Sequence, residues 1–404
     1  MHTIKIKVAM HKINYYHMKA ITKSKLLLAI ILCFALTITL MNTTSCSSNV
    51  DNIIAEKADK YFSSLFSPDK PGAAVLIMKG DSVIFNKGYG VMDLNSMTPI
   101  DGNTFFCIAS ISKQFAAVAL MVLSEEGKLS LDDTVAKWFP EFKSPLMEQI
   151  TLRHLLSHTS GIPDARPRED RIFTTTATDT ASYAYIANLE KLNFIPGTEY
   201  EYMNPTFQLM YTIVERASGV QFDEFMEQRI FNPSGMMEST YFEAEKQIPR
   251  RSISYNFDDE SGQYVRYDYG EETFFATKAD GGLFTSVNEF VKWEMAIRNN
   301  TLISEKMREE AHSPKIETNG SSYSSYQNRP HTYYGYGWFI EEGENVPKKV
   351  YHTGSNGGFR AYAGRFPEKE ILYLFFSNKS DIDVNDVARE LDAIFKEANW
   401  FDNE

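Results

Sequence analysis

Ser110-Ile-Ser-Lys-Gln-Phe-Ala-Ala-Val-Ala-Leu-Met-Val-Leu-Ser-Glu-Glu-Gly127 reads as a long helix that is apolar on most faces. Such a helix has no side suited to water, so it belongs inside a fold rather than on it. Gly127 fits the glycine that follows a helix C-terminus. The first turn carries the pattern S-x-x-K. Positions three apart share a helix face, so the Lys113 ammonium is expected beside the Ser110 hydroxyl. A lysine so placed can take the serine proton or favour the alkoxide, and the helix N-terminus adds positive potential. The pattern recurs at Ser67-Pro-Asp-Lys70, but there it runs into the Pro71-Gly72 turn, which would hold nothing rigidly.

Upstream of this helix, Ile54, Ala58, Phe62 and Phe66 recur at helical spacing and predict a helix over about 52–66. Ala73 to Lys79 and Ser82 to Gly88 read as strands around Lys79-Gly80-Asp81. Downstream, about 130–300 alternates short helical segments with turn-rich stretches. Ser252 to Thr273 is polar and Tyr-rich, a surface loop or hairpin over the cleft, and Gly320 to Pro330 is an exposed loop by composition. Strands return at Tyr334–Glu341, Lys349–Ser355, Phe359–Phe366 and Ile371–Ser377. Asn356-Gly357-Gly358 and Pro367-Glu-Lys-Glu370 form the turns between the last three. Val384, Val387, Leu391, Ile394 and Phe395 make the buried stripe of a closing helix. The fold class is α+β, an α/β sandwich. An antiparallel sheet from about 52–108 and 331–400 is flanked by terminal helices, with a mostly helical insert over about 109–330.

Two further motifs suit the same chemistry. In Tyr202-Met-Asn204 a tyrosine beside a cation can serve as phenolate base and later as acid, while the Asn204 amide can orient a substrate amide. Tyr326-Gln-Asn328 repeats the pattern within the polar loop. Tyr202 instead follows Pro196-Gly197-Thr198 and precedes the apolar stretch from Phe207 to Ala217. His352-Thr353-Gly354 ends a predicted strand near a glycine turn. Gly354 allows close approach of a substrate to the backbone, and the Ser355 amide can donate to an oxyanion.

In this order the three motifs resemble the serine β-lactamase and penicillin-binding-protein superfamily, in which S-x-x-K occurs with K-T-G. The Tyr-x-Asn form resembles the class C β-lactamase-like branch. That branch also holds D-alanyl-D-alanine carboxypeptidases, D-aminopeptidases and carboxylesterases. The resemblance covers about residues 53–397 and extends to Thr151-Leu-Arg-His-Leu-Leu-Ser-His-Thr-Ser-Gly161, Gly281-Gly-Leu-Phe-Thr285 and Gly335-Tyr-Gly-Trp338. It implies that Ser110 attacks an ester or amide carbonyl to form an acyl-enzyme and that Lys113 and Tyr202 share the proton traffic. The amides of Ser110 and Ser355 would stabilise the oxyanion. Asn204, His352, Thr353 and Gly354 would bind substrate, a small ester, amide or D-amino-acid peptide. It implies no metal and no organic cofactor.

One position departs from the family pattern. Typical β-lactamases carry lysine where this chain has His352, and an ordinary histidine is mostly neutral at pH 7. An esterase, or a D-amino-acid peptidase or carboxypeptidase, is therefore expected ahead of a true class C-type β-lactamase. Were His352 to bind a carboxylate, affinity would weaken as pH rises through its pKa. Arg360 on the next strand could replace the missing cation or be a surface arginine. A non-catalytic penicillin-binding receptor for cell-wall peptides is the alternative of another class. His154 and His158 stand four apart on a short predicted helix, but Leu155 replaces the Glu of His-Glu-x-x-His, and both read as structural. No Gly-x-Ser-x-Gly elbow is present. The walls that select the substrate are expected in 252–275 and 320–330.

Charge separates the first residues from the rest. The 404-residue chain has a formal net charge of −12, yet residues 1–45 hold six lysines and no acid. Without them 35 basic residues face 53 acidic ones, a net −18, which argues against binding a phosphate backbone. Lys19, Lys23 and Lys25 precede the apolar run from Leu26 to Met41, too short for an ordinary membrane span and suited to a secretory signal. Asn42-Thr-Thr-Ser45 then leads to Cys46. The segment resembles a lipoprotein signal, although Thr43 stands where leucine is usual. Lipidation of Cys46, plain cleavage and an uncleaved anchor all remain open, and Met18 is a candidate start. The expected protein is exported, either periplasmic or held to the envelope membrane by lipid, with its body over 46–400. Cys107 is the one cysteine in that body and reads as a small buried apolar residue.

Overall fold

A computed structural model describes residues 49–402 except 168, 171–172, 174–176, 244–246, 268–276, 319–330 and 344–345. The expected signal, Met18 and Cys46 lie outside the described residues, as does the 320–330 loop. The chain divides into two units, Met1–Glu56 and Lys57–Glu404. In the first, residues 49–56 are helical, and in the second residues 57–65 are helical.

Valine, isoleucine, phenylalanine and tyrosine fill the strands of the second unit because both faces of its main sheet are covered. Β-strand β1 (Ala73–Lys79) hairpins to β2 (Ser82–Tyr89), and the short pair β3 (Val91–Asp93) and β4 (Thr98–Pro99) follows. β5 (Phe106–Cys107), β6 (Thr240–Tyr241), β7 (Tyr255–Asp258), β8 (Gln263–Arg266) and β9 (Leu283–Thr285) are short. β10 (Ile316–Glu317), β11 (Thr332–Tyr334), β12 (Phe339–Gly343), β13 (Val346–Asn356), β14 (Phe359–Phe366) and β15 (Ile371–Ser377) complete the series. The main sheet runs β10-β11-β12-β13-β14-β15-β1-β2, antiparallel throughout. β1 pairs with β15 from Ala73↔Ser377 to Lys79↔Ile371, so strands from early and late in the second unit meet as the sixth and seventh of the eight.

Alternation then sorts the side chains. Leu372, Leu374 and Phe376 enter the large core with Ala361 and Ala363. Tyr351, Tyr362 and Tyr373 stack in a row on the other face, centroids 5.6 and 5.3 Å apart, beneath Phe395 of the closing helix Val384–Glu397. Phe62 and Phe66 cover Phe375 on the same side, at 5.9 and 6.2 Å. Burial on both faces is why β1 and β15 read as nearly unbroken apolar runs.

The central helix spans Lys113–Glu125, and its residues 113–123 are buried as expected. Gly127 (φ 71°) and Lys128 close it by donating to the carbonyls of Ser124 and Leu123. This is the Schellman ending that glycine permits. Ser110 does not open the α-helix, as the sequence suggested; it lies in a tighter 3₁₀ turn, Ala109–Ser112, just before it. Three other expectations change. Tyr334–Glu341 is not one strand, because Gly335–Trp338 turns the chain between β11 and β12. Gly337 (φ 90°) lies against Ala117 of the central helix, where a side chain would collide. The main sheet begins at β10, ahead of the expected boundary at 331. The middle of the chain also holds an unforeseen three-stranded sheet, β5-β9-β6. The Tyr-rich stretch forms the hairpin β7–β8, while 268–276 lies outside the described residues.

Candidate active site

The turn bearing Ser110 is bolted to β9. The Ile108 amide donates to Leu283 O at 3.0 Å, and the Leu283 amide donates to the Ser112 hydroxyl at 3.2 Å. Cys107, the buried thiol before the turn, donates to Gly281 O at 3.4 Å. Ala109 is held at φ 47°, a left-handed conformation that costs an L-residue on the order of 1 kcal/mol and persists only where its surroundings impose it. Ser110 itself is half-buried.

Lys113 is fully buried and uses three donors. Its Nζ reaches Ser110 Oγ at 3.1 Å, Asn204 Oδ1 at 2.8 Å and the Asp280 carbonyl at 2.8 Å. Burial pulls its pKa down to about 8; the Asp280 carboxylate opposes that shift and the Arg166 charge adds to it. The lysine is thus about one-tenth free amine at pH 7 and half free amine near pH 8, with its nitrogen against the serine oxygen.

Tyr202 and Asn204 come from the segment that starts the helix Asn204–Ser218, with Pro205 in its first turn. The buried Tyr202 ring lies 5.0 Å from Lys113 Nζ. His158 brackets it: the Glu201 amide donates to His158 O at 3.0 Å, and the Met203 amide donates to His158 Nδ1 at 3.2 Å. The two rings are 4.3 Å apart. Burial first, then the charge of Lys113, holds the His158 pKa well below its usual value. His158 does not share a helix face with His154, because the helix Leu152–Leu156 has ended and His158 has φ 55°. His154 instead closes the capping box of that helix with Thr151. Among the described residues no group of three His, Cys, Asp or Glu is placed to hold a metal.

β13 brings the third motif alongside. Gly354 rests on the Ile108 carbonyl and Ala109, where any side chain would collide with the backbone leading to Ser110. Ser355 therefore follows the contact on β13 as Ser110 follows it on its 3₁₀ turn. β12 pairs with β13 only up to Phe339↔Tyr351, so among the described strands β14 alone pairs with 352–356. The half-buried Thr353 and exposed Ser355 line that edge with their main chain.

His352 is not the carboxylate-binding cation considered from the sequence. It has 0% exposure; Nδ1–H donates to Thr353 O at 2.7 Å and Nε2 accepts from the Tyr334 hydroxyl at 3.0 Å. Burial, then the Lys113 charge, hold its pKa down at about 3. It is a neutral ring at any ordinary pH. Arg360 does not replace it, since its Nη1 donates to the carbonyls of Gly357 and Phe359, and it pairs in register with Ser355 on the opposite pleat from Gly354. The second cation near the base is Arg166, which no motif marked and which forks onto Asp164 at 2.8 Å through Nε and Nη2.

The sequence-derived residues thus converge: Ser110, Lys113 and Asn204 are hydrogen-bonded, Tyr202 and His352 flank them, and Gly354 holds the nucleophile turn. Residues 50–395 match the family model described as Beta-lactamase. The chain is 27% identical over 332 residues to Penicillin-binding protein 4* of Bacillus subtilis, covering 79% of this chain and 71% of the relative. Its fold resembles the octameric penicillin-binding protein homologue from Pyrococcus abyssi (TM-score 0.70, 28% identity, 88% of this chain and 77% of that one). It also resembles D-amino acid amidase from Ochrobactrum anthropi SV3 (TM-score 0.69, 21% identity, 87% and 99%).

Proposed function

Because the chain belongs to the β-lactamase family, and is a serine hydrolase of the β-lactamase and penicillin-binding-protein kind, we propose that it cleaves neutral esters or amides through Ser110. D-amino-acid amides or peptides are included among those substrates. The observation that carries the reading is the buried Lys113 nitrogen, with a pKa brought down to about 8, lying 3.1 Å from Ser110 Oγ. Lys113 takes the Oγ proton as Ser110 attacks the carbonyl carbon, and the amides of Ser110 and Ser355 receive the developing oxyanion. The proton passes through Tyr202 to the leaving amine or alcohol as the tetrahedral intermediate collapses to the acyl-enzyme. Water, activated by the same pair, releases the acyl group and restores Ser110. Asn204 Oδ1 is committed to Lys113, which leaves its NH₂ to orient a substrate carbonyl or amide.

The neutral His352 supports a preference for uncharged substrates over carboxylate-bearing lactams. A pH-resolved panel of p-nitrophenyl esters, D-amino-acid amides and a chromogenic cephalosporin tests both parts. The expected result is turnover of ester or amide with slow cephalosporin hydrolysis. The ratio between charged and neutral substrates should show no step near pH 6.5, since His352 has no proton to lose there. Covalent labelling with no turnover of any substrate would instead favour a cell-wall peptide receptor, and a step near 6.5 would restore His352 as a carboxylate ligand.

The acid-free start supports an exported enzyme, periplasmic or held in the envelope by lipid on Cys46. Palmitate incorporation lost in Cys46→Ala is the expected sign of the anchor; equal incorporation in both proteins would refute it.

A further inference from the structure

We infer that Asp179, which no motif marks, is a positioning residue for the base: its carboxyl group fixes the turn whose following carbonyl holds Lys113. Asp179 opens the 3₁₀ turn Asp179–Ser182 and has 1% exposure. Its Oδ2 accepts from the Lys278 amide at 2.6 Å and its Oδ1 from the Ala279 amide at 3.0 Å. The next residue in that turn is Asp280, whose carbonyl accepts from Lys113 Nζ at 2.8 Å.

Of the three acceptors around Lys113, the Asp280 oxygen is the one supplied by main chain, so its place depends on how the 278–280 backbone is held. Just beyond, the segment is tied by Gly281 O to the Cys107 thiol and by Leu283 to Ile108, both leading into the nucleophile's turn, and by Leu283 to Ser112 within it. Asp179 pins the other end. The Lys278 side chain leaves in another direction, to Asp223 and Glu243. The chain of contacts therefore runs from a carboxyl group distant in sequence, through two amides and one carbonyl, to the ammonium that touches Ser110.

A buried carboxyl group is an expensive brace. Burial and the neighbouring Asp280 carboxylate push its pKa well above the usual range, and the two amides only partly oppose this. A turn needing shape alone could be closed by neutral groups. An acceptor of two adjacent N–H groups is what holds the next carbonyl toward an ammonium, as two donors aligned on one carboxylate fix the peptide planes between them.

The inference rests on the proposed role of Lys113 as base. The test compares the parent with Asp179→Asn and Asp179→Glu. Asn presents an NH₂ where one amide needs an acceptor, and Glu keeps both oxygens but displaces them. In the parent, kcat/KM for a p-nitrophenyl ester should rise with pH as Lys113 loses its proton. Beyond Asp179 itself, whose carboxyl group is lost in Asn and kept in Glu, the charged or titratable groups around that proton are the carboxylate of Asp280, Arg166, His158, His352 and Tyr202, all unchanged in the variants.

Loosening the Asp280 carbonyl removes an acceptor from the ammonium and so lowers its pKa. The acid limb should move to lower pH, with kcat down about tenfold or more, KM little changed and the Asn variant affected more than Glu. A purely structural residue would lower the melting temperature without moving the limb. Whichever variant folds, an unmoved limb and unchanged kcat overturn the inference. The parent's fluorophosphonate adduct, mapped by mass to Ser110, is the control. If it is missing, the catalytic reading itself fails; if it is present, the variants speak to Asp179 alone.

Discussion

Ser110→Ala is expected to abolish labelling by a fluorophosphonate and by a fluorescent penicillin, and to reduce ester turnover by roughly three to six orders of magnitude. The size follows from covalent catalysis. Without Oγ there is no acyl-enzyme, and Lys113, the oxyanion amides and substrate binding can supply only the residual effect. Three other serines are not placed to substitute. Ser112 is buried and accepts from the Leu283 amide, Ser160 accepts from Ile162, and Ser67 of the second S-x-x-K match lies in an exposed turn with Lys70. The substitution should leave the fold intact, since Lys113 keeps Asn204 and Asp280 as partners and one hydrogen bond contributes about 1 kcal/mol. Equal labelling of both proteins, read by gel fluorescence, would sink the nucleophile assignment.

The residues that could be read from sequence are those whose chemistry is written in their own identity and spacing. Ser110 and Lys113 stand three apart, Tyr202 and Asn204 two apart, and each pair is delivered by one local element. The strands β1 and β15 were legible because burial on two faces leaves a nearly continuous apolar run. What failed to show was set by contacts between distant segments. β5, β6 and β9 are two or three residues long, too short for any periodicity, and their pairing joins positions near 106, 240 and 284. The i, i+4 spacing of His154 and His158 suggested a shared helix face, but the helix stops at Leu156 and His158, itself left-handed, packs on Tyr202. The identity of His352 was plain, while its burial and its bonds to Thr353 and Tyr334 were not, and these decide its charge. The Asp179 carboxyl group meets backbone amides and Asp280 offers its backbone carbonyl, and backbone partners carry no sequence signal at all.

Lys113→Met is expected to be as damaging to turnover as loss of the nucleophile's activation allows, about 10³-fold, and to change the pH dependence of stability in a definite direction. The catalytic part is direct. In the parent, kcat/KM should climb with pH and level off above about 8 as the ammonium becomes an amine, and the variant's residual rate should lack that limb. The stability part follows from linkage. Lys113 is held at about 8 in the folded chain against a usual value of 10.5, so between those pH values the unfolded chain binds a proton that the folded chain does not. Stability therefore carries a cost below pH 8 that is relieved as pH rises toward 10.5. The gap between about 8 and 10.5 corresponds to about 3 kcal/mol. Methionine has no proton to exclude, so the variant should not show that rise. Tyrosines and other lysines that titrate at alkaline pH are common to both proteins and cancel in the difference between their urea unfolding free energies. A parent-minus-variant difference that stays flat from pH 8 to 10.5 would mean that the buried amine is not depressed, and with it the source of the base would be lost. The Asn204 and Asp280 oxygens left facing methionine lower the variant's stability by a pH-independent amount, which shifts the difference curve without changing its slope. The slope is therefore the measurement that isolates the buried charge, and it ties the cost of folding around Lys113 to the same proton that Ser110 must give up.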